Sequence, residues 1–135
     1  MKKHLCSGRL VELYKESVPC VDYLRTYSKH VAALLSELDY GAIADCADCL
    51  LRARNRGSTI FFIGNGGSAA TASHFAQDLG EISRKCGTKA FRAISLSDNT
   101  PSITALGNDY GFDRIYVDQL SNLFKRGDVL LAISA

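Results

Sequence analysis

The organisation of this chain follows from one segment, Ile60-Phe61-Phe62-Ile63-Gly64-Asn65-Gly66-Gly67-Ser68. Residues 59–63 form a β-branched and aromatic run, which is typical of a strand buried on both faces. The glycines that follow allow positive φ angles and leave room for a ligand to approach the backbone. From Ser68 to Leu79, apolar residues recur at helical spacing, which predicts a helix that begins at the glycine turn. A strand, a glycine turn and a helix N-terminus offer free amide donors to an anion, and the expected guest is a phosphate group.

The polar face of this predicted helix carries His74 and Asp78, which are four residues apart. Both side chains therefore project from one side of the helix, and Thr71 lies on the same face, nearer the glycine turn. An imidazole and a carboxylate at this spacing can share a metal ion or a substrate proton. The alternative is an ordinary surface pair that contributes roughly 0.2–0.5 kcal/mol to helix stability.

Bulk properties exclude several classes of partner. The chain has 135 residues, 47% of them hydrophobic and 22% charged, which predicts one soluble globular domain. Because the net charge is only +2 and the basic residues are scattered, we expect neither nucleic acid nor an anionic membrane as a partner. No apolar run is long enough to span a bilayer or to form a signal peptide. The five cysteines, an odd number, indicate reduced thiols and a cytoplasmic protein.

Residues 1–57 are predicted to be helical. Residues 1–16 show only a hint of a helical turn. Apolar residues then recur every three or four positions from Val21 to about residue 38. A second helix is expected over residues 40–56, with Gly57 as its stop signal. An antiparallel pair is the simplest arrangement, and such helices often serve in oligomer contacts.

Residues 58–135 alternate strands and helices, which predicts a parallel sheet covered on both faces. After the central helix we expect a loop over residues 81–89 and a strand over 90–96. A short helix from an N-cap at Thr100 to Leu106 should follow, and then a turn over 107–112. The last expected elements are a helix ending near Leu123 and a strand over 128–133. Ligands bind beyond the carboxyl ends of such strands, where Gly64–Ser68 and Ser134–Ala135 both fall. Because no helix follows the last strand, we expect that the chain is a fragment or that another subunit covers this strand.

The glycine segment can also be compared with two nucleotide-binding motifs. Gly64-x-Gly66-x-x-Ala69 satisfies the relaxed dinucleotide fingerprint, but Asp98, the acidic residue it would need, stands about ten residues too late. A Walker loop is excluded because no Gly-Lys-Ser/Thr follows. A purely structural role for the adjacent glycines stays open.

Taken together, these residues resemble the sugar-isomerase (SIS) domain family, and within it the phosphoheptose isomerase branch. The segments that carry the resemblance are Gly64–Ala70, His74–Ala76 with an acid at 78, Ala93–Leu96, Gly107–Phe112 and Gly127–Ser134. The resemblance implies a flavodoxin-like, three-layer α/β/α fold, usually assembled as a homotetramer with active sites between subunits. It also implies isomerisation of sedoheptulose 7-phosphate to glycero-manno-heptose 7-phosphate, an early step towards the heptose of bacterial lipopolysaccharide.

The resemblance also implies roles for individual residues. His74 and Asp78 would be catalytic residues and zinc ligands, and Asp78 would double as the base. The remaining residues with an implied role would contact the phosphorylated sugar, and they are Asn65, Gly66, Gly67 and Ser68 at the phosphate, Asn108 and Asp109 at the sugar, and Ser134 in a second phosphate loop.

Two departures from the family pattern bear on activity. The family acid is normally a glutamate, and Asp78 is shorter by one methylene. The other family metal ligands, a glutamine and a histidine, would lie beyond residue 135. We therefore expect the 135-residue chain to be inactive alone. The alternative function is a non-catalytic SIS module that binds a phosphosugar or a protein partner, as the replication-initiator-associating proteins do.

Overall fold

The computed structural model describes residues 19–134, and the chain divides into two compact units between Ile43 and Ala44. The predictions made for residues 1–18 and for Ala135 lie outside the described residues, and the prediction of a single domain stays a prediction. In chain order the elements are α1 (Cys20–Ser36), α2 (Tyr40–Arg56), β1 (Thr59–Gly64), α3 (Gly67–Lys85), β2 (Arg92–Ser95), α4 (Thr100–Asp109), a 3-10 turn (Phe112–Arg114), α5 (Val117–Leu123) and β3 (Val129–Ile133).

The first unit contains α1 and the first turn of α2. Asp39 precedes α2 and accepts a hydrogen bond from the amide of Ala42 at 2.9 Å, as an N-cap does. All residues of α1 are at least partly exposed, and the apolar side chains of Leu24 and Leu35 are 54% and 57% exposed. Both N-terminal helices are confirmed as helices, whereas their antiparallel pairing stays a prediction.

The second unit is organised around a parallel sheet of three strands in the order β2-β1-β3. Phe61 in the central strand is paired with Ile94 in β2 and with Leu130 in β3. The chain leaves β1 for β2 on one side and returns to β3 on the other, so β1 and β3 flank a topological switch point. The predicted α/β fold with a parallel sheet is confirmed, and this order reproduces the first three strands of the flavodoxin-like sheet.

Both faces of β1 are buried. The core on one face joins α2, β1 and α3 through Leu50, Ala53, Ile60, Phe62 and Ala72. Because side chains alternate along a strand, Phe61 lies on the opposite face, where its ring is 5.8 Å from that of Phe124. Burying one such aromatic side chain stabilises the fold by about 1.5–3 kcal/mol. The prediction of a strand buried on both faces is therefore confirmed.

The helix α3 extends to Lys85, so the prediction of a loop beginning at residue 81 was wrong. Ser83 is only 1% exposed, and its hydroxyl donates to the carbonyl of Leu79 at 3.0 Å and accepts from the amide of Phe91 at 3.3 Å. Lys85 also pairs with Glu81 at 2.9 Å across one turn. The buried position in this last part of the helix is occupied by a serine whose hydroxyl is fully hydrogen-bonded. Because serine is polar, the apolar periodicity of the sequence does not reveal that the helix continues.

The helix α4 differs from the prediction at both ends. Its N-cap is Asn99, whose side chain accepts from the amide of Ser102 at 3.2 Å, whereas Thr100 is the first helical residue. The helix continues to Asp109, so residues 107–109 of the predicted turn form its last turn, and the chain leaves the helix only at residues 110–112. Gly107 does not have a positive φ, so its backbone is compatible with this helix.

Candidate functional site

A cavity of about 820 Å³ opens at the carboxyl ends of β1 and β3, next to the start of α3. Its lining includes Gly64, Asn65, Gly67, Ser68, Thr71, Tyr116 and Ser134. The glycine segment and Ser134 are thus brought to one site although they lie at opposite ends of the α/β part. Doubly wound sheets bind ligands at this kind of position.

The start of α3 leaves amide donors available at this cavity. Gly66 is the N-cap with φ 55°, and no side chain among the described residues caps the helix. The backbone amide of Ser68 donates to the backbone carbonyl of Asn65 at 3.0 Å, which closes the first turn. Within residues 19–134, the amides of Gly66 and Gly67 have no acceptor. Together with the positive end of the helix dipole, they form an anion-binding arrangement.

Gly64 and Gly67 are glycines for different reasons. A Cβ on Gly64 would lie 2.5 Å from the carbonyl oxygen of Ser68, so the end of β1 passes too close to α3 for any side chain. A Cβ on Gly67 would meet no atom of the described residues within 4 Å, and Gly67 lines the cavity. The first glycine is needed for packing, and the second leaves open space that a ligand can enter.

Two polar residues that the sequence did not indicate hold the glycine segment. The Tyr116 hydroxyl donates to the carbonyl of Gly64 and lies 3.2 Å from Oδ1 of Asn65. The Ser97 hydroxyl donates to the same carbonyl at 3.0 Å and accepts from the amide of Gly64 at 3.3 Å. Ser97 and Tyr116 are 33 and 52 positions from Gly64 in the chain, and no periodicity marks them.

The predicted catalytic pair lies elsewhere on α3. His74 and Asp78 are both exposed, and neither lines the cavity at the glycine segment. Thr71 does line it, and its hydroxyl donates to the carbonyl of Gly67 at 3.2 Å. Asp78 borders a second groove of about 370 Å³, together with Phe75 and Ile82. The pair therefore lies farther along the helix than the cavity, beyond Thr71.

The described residues do not by themselves complete the predicted zinc site. A catalytic zinc ion needs three protein ligands and one open position. In the part of the chain that the structure describes, no group of three or more His, Cys, Asp or Glu side chains could hold a metal ion. His74 and Asp78 supply at most two ligands, so zinc binding stays a prediction.

The residues predicted to reach the sugar occupy two places. Asn108 and Asp109 are exposed in the last turn of α4, and the Asn108 amide donates to the Asp109 carboxylate at 2.8 Å. They do not line the cavity at the glycine segment, whereas Ser134, after the end of β3, does. The structure thus groups Ser134 with the predicted phosphate-binding residues and leaves Asn108 and Asp109 apart from them.

The position of Asp98 is evidence against the dinucleotide interpretation of the glycine motif. Its carboxylate accepts a hydrogen bond from the hydroxyl of Ser73 on α3 and does not line the cavity at the glycine segment. A ribose held at that cavity would therefore lack the acidic partner that the fingerprint requires.

Comparison with known proteins agrees with this geometry. The sequence model of the SIS domain matches residues 23–135. Phosphoheptose isomerases are among the similar proteins: that of Helicobacter hepaticus is 44% identical over 94 residues, which cover 69% of this chain and 47% of the relative. That of Pelobacter propionicus is 45% identical over 93 residues, which cover 68% and 48%. The chain thus spans about half the length of the curated relatives it matches.

Solved structures show the same likeness. The phosphoheptose isomerase of Neisseria gonorrhoeae superposes with a TM-score of 0.73 and 32% identity, covering 85% of this chain and 59% of that protein. A phosphoheptose isomerase from Francisella tularensis gives a TM-score of 0.77 and 29% identity, covering 87% and 63%.

Proposed function

This chain belongs to the SIS domain family, and we propose that its glycine segment binds the phosphate of a phosphorylated sugar. One observation carries the proposal: the free amides of Gly66 and Gly67 lie at the start of α3, beside a cavity at the switch point of the sheet. Ser68 adds a hydroxyl and Ser134 a second one from the end of β3. Backbone amides at a helix N-terminus bind phosphate through charge-assisted hydrogen bonds.

The proposed reaction is the isomerisation of sedoheptulose 7-phosphate to glycero-manno-heptose 7-phosphate, which supplies heptose for lipopolysaccharide. An aldose–ketose isomerase moves a proton between adjacent carbons through an enediol and needs a base, an acid and an anchor. Binding the distant phosphate would fix the reacting carbons in place. From that anchor, the sugar would extend past Thr71 towards Asp78 as base and His74 as acid.

The wider assembly is part of the same proposal. A second copy of the chain would cover exposed apolar residues of α1 such as Leu24 and Leu35, in agreement with the proposed homotetramer. Asn108 and Asp109 would then bind the sugar in the assembled protein, and zinc would need ligands besides His74 and Asp78. The four described cysteines are free thiols, which supports a cytoplasmic location. None of the described helices is long and apolar enough to cross a membrane.

A second candidate function is binding without catalysis. The short acid Asp78 and the incomplete set of metal ligands in the described residues both favour it. A non-catalytic SIS module would bind the phosphosugar, or a protein partner such as a replication initiator, through the same fold. For either function we expect the 135-residue chain to show no isomerase activity alone, because its described residues offer only two candidate ligands.

Calorimetric titration tests phosphate recognition. The 135-residue chain is titrated with sedoheptulose 7-phosphate and, as the matched control, with sedoheptulose. We expect binding of the phosphorylated sugar only. Equal binding of both sugars, or of neither, would refute recognition at the glycine segment.

The response of the chain to a longer acid at position 78 separates the two candidate functions. The wild-type chain and Asp78→Glu are incubated with zinc and sedoheptulose 7-phosphate. A catalytic site predicts that the longer acid raises zinc affinity or turnover, whereas a binding module predicts no change. Robust turnover by the unmodified chain would contradict the expected inactivity.

A further inference from the structure

The hydrogen bonds around the glycine segment give Tyr116 a role of its own. We propose that the Tyr116 hydroxyl is a positioning group that orients the Asn65 carboxamide, so that its NH₂ group faces a bound anion. The inference rests on the proposed function, because the anion is the phosphate of the sugar. Tyr116 is half-buried immediately before α5 and lines the cavity beside Asn65.

A phenol hydroxyl carries one proton, so it donates one hydrogen bond at a time. The Tyr116 oxygen nevertheless has three polar neighbours: the carbonyl of Gly64, Oδ1 of Asn65 at 3.2 Å and the hydroxyl of Ser97 at 3.2 Å. The proton therefore lies either on Asn65 or away from it, on Gly64 or Ser97.

Each choice fixes the direction of the Asn65 side chain. If the proton lies on Gly64, only the NH₂ end of the Asn65 carboxamide can hydrogen-bond to the Tyr116 oxygen, and the amide oxygen is left for the cavity. If the proton lies on Oδ1 of Asn65, the NH₂ group is left for the cavity instead. An anion binds donors and is repelled by a carbonyl oxygen, so phosphate selects the second arrangement.

Ser97 keeps the carbonyl of Gly64 hydrogen-bonded in the second arrangement. Its hydroxyl already donates to the carbonyl of Gly64 at 3.0 Å, so this acceptor stays satisfied when the Tyr116 proton turns to Asn65. Removal of the Tyr116 hydroxyl therefore leaves the fold of the glycine segment intact but leaves the Asn65 carboxamide without its orienting donor.

Tyr116→Phe removes one oxygen atom and keeps the ring. We expect the dissociation constant for sedoheptulose 7-phosphate to rise about five- to tenfold, the loss of roughly one oriented hydrogen bond. The midpoint of thermal unfolding should stay within about 3 °C of wild type, because Ser97 still donates to the carbonyl of Gly64. Tyr110→Phe is the matched control, since Tyr110 is 69% exposed and lies outside the cavity lining.

A double-mutant cycle separates positioning from a merely structural role. If Tyr116 acts through Asn65, then Tyr116→Phe should weaken binding in the wild-type background and cause no further loss in Asn65→Ala. Equal losses in both backgrounds, or wild-type affinity of Tyr116→Phe, would overturn the inference.

The free chain supplies a test that needs no sugar. In ¹⁵N-resolved spectra, Tyr116→Phe should shift the side-chain NH₂ resonances of Asn65, whereas Tyr110→Phe should not. Unchanged Asn65 resonances would overturn the inference. If no form of the chain binds the phosphorylated sugar, the proposed function fails while these spectra still decide the role of Tyr116.

Discussion

Replacement of Gly64 by alanine tests how the strand and the helix of the anion site are joined. The added Cβ would lie 2.5 Å from the carbonyl oxygen and 2.6 Å from the carbonyl carbon of Ser68. Ordinary contact begins at 3.4 Å, so the first turn of α3 must move by about 0.9 Å. Because both obstructing atoms belong to the backbone, no side-chain rotation can relieve the clash.

This displacement has two expected consequences for Gly64→Ala. Overpacking of this kind destabilises a fold by about 1–3 kcal/mol. For a domain of this size the unfolding midpoint should fall by roughly 4–12 °C. The Gly66 and Gly67 amides begin the displaced turn, and a shift of about 0.9 Å would break hydrogen bonds of ordinary length, so phosphosugar affinity should fall at least about tenfold.

Gly67→Ala is the matched control, and thermal unfolding followed by circular dichroism is the assay. The same methyl group meets no atom of the described residues within 4 Å there, and the position is helical. Stability should therefore stay constant or rise by up to about 1 kcal/mol, while the methyl group, beside the cavity, weakens sugar binding. If Gly64→Ala unfolds and binds as wild type does, or if both variants lose equal stability, the close approach of β1 to α3 is not what requires Gly64.

Three further predictions concern stability and metal binding. Gly80 lies in α3 with no described atom near its missing Cβ, so Gly80→Ala should raise the free energy of unfolding by about 0.5–1 kcal/mol; a lower unfolding midpoint would contradict this. The Asp128 carboxylate accepts hydrogen bonds from the backbone amides of Thr59 at 2.8 Å and Lys125 at 2.9 Å. Asp128→Asn should therefore lower the free energy of unfolding by about 1–2 kcal/mol in urea titrations, and wild-type stability would refute the bridging role. Dialysis of the 135-residue chain against a chelator should remove all zinc; one equivalent retained in wild type but lost in His74→Ala would show a complete site.

The sequence predicts best where one local signal determines the structure. The helix over residues 40–56 has the bounds expected from its apolar periodicity, and Gly57 follows it with φ 77°. The apolar run of β1 similarly identifies a strand with both faces covered. In both cases the side chains that form the pattern are neighbours in the chain, so their spacing carries the information.

The parts that sequence reasoning missed depend on partners distant in the chain. The last turn of α3 is held by the buried hydroxyl of Ser83, and its acceptor role towards Phe91 is visible only in the fold. Tyr116 and Ser97, which are distant from Gly64 in the chain, donate hydrogen bonds to its carbonyl at the end of β1. The N-cap of α4 was missed for a local reason, because Asn99 and Thr100 are neighbours and both residue types suit that position.

The pairing of β1 with β3 has a consequence for the use of the glycine motif as a marker. Ile60 pairs with Val129 and Gly64 with Ile133, so the wall of the cavity joins distant parts of the chain. Such non-local parallel pairing is intrinsically slow to form, because the entropy of closing the intervening loop must be overcome first. A nascent or clipped polypeptide that carries Gly64–Ser68 but has not added β3 would therefore display the motif in its sequence without having a cavity to capture a metabolite.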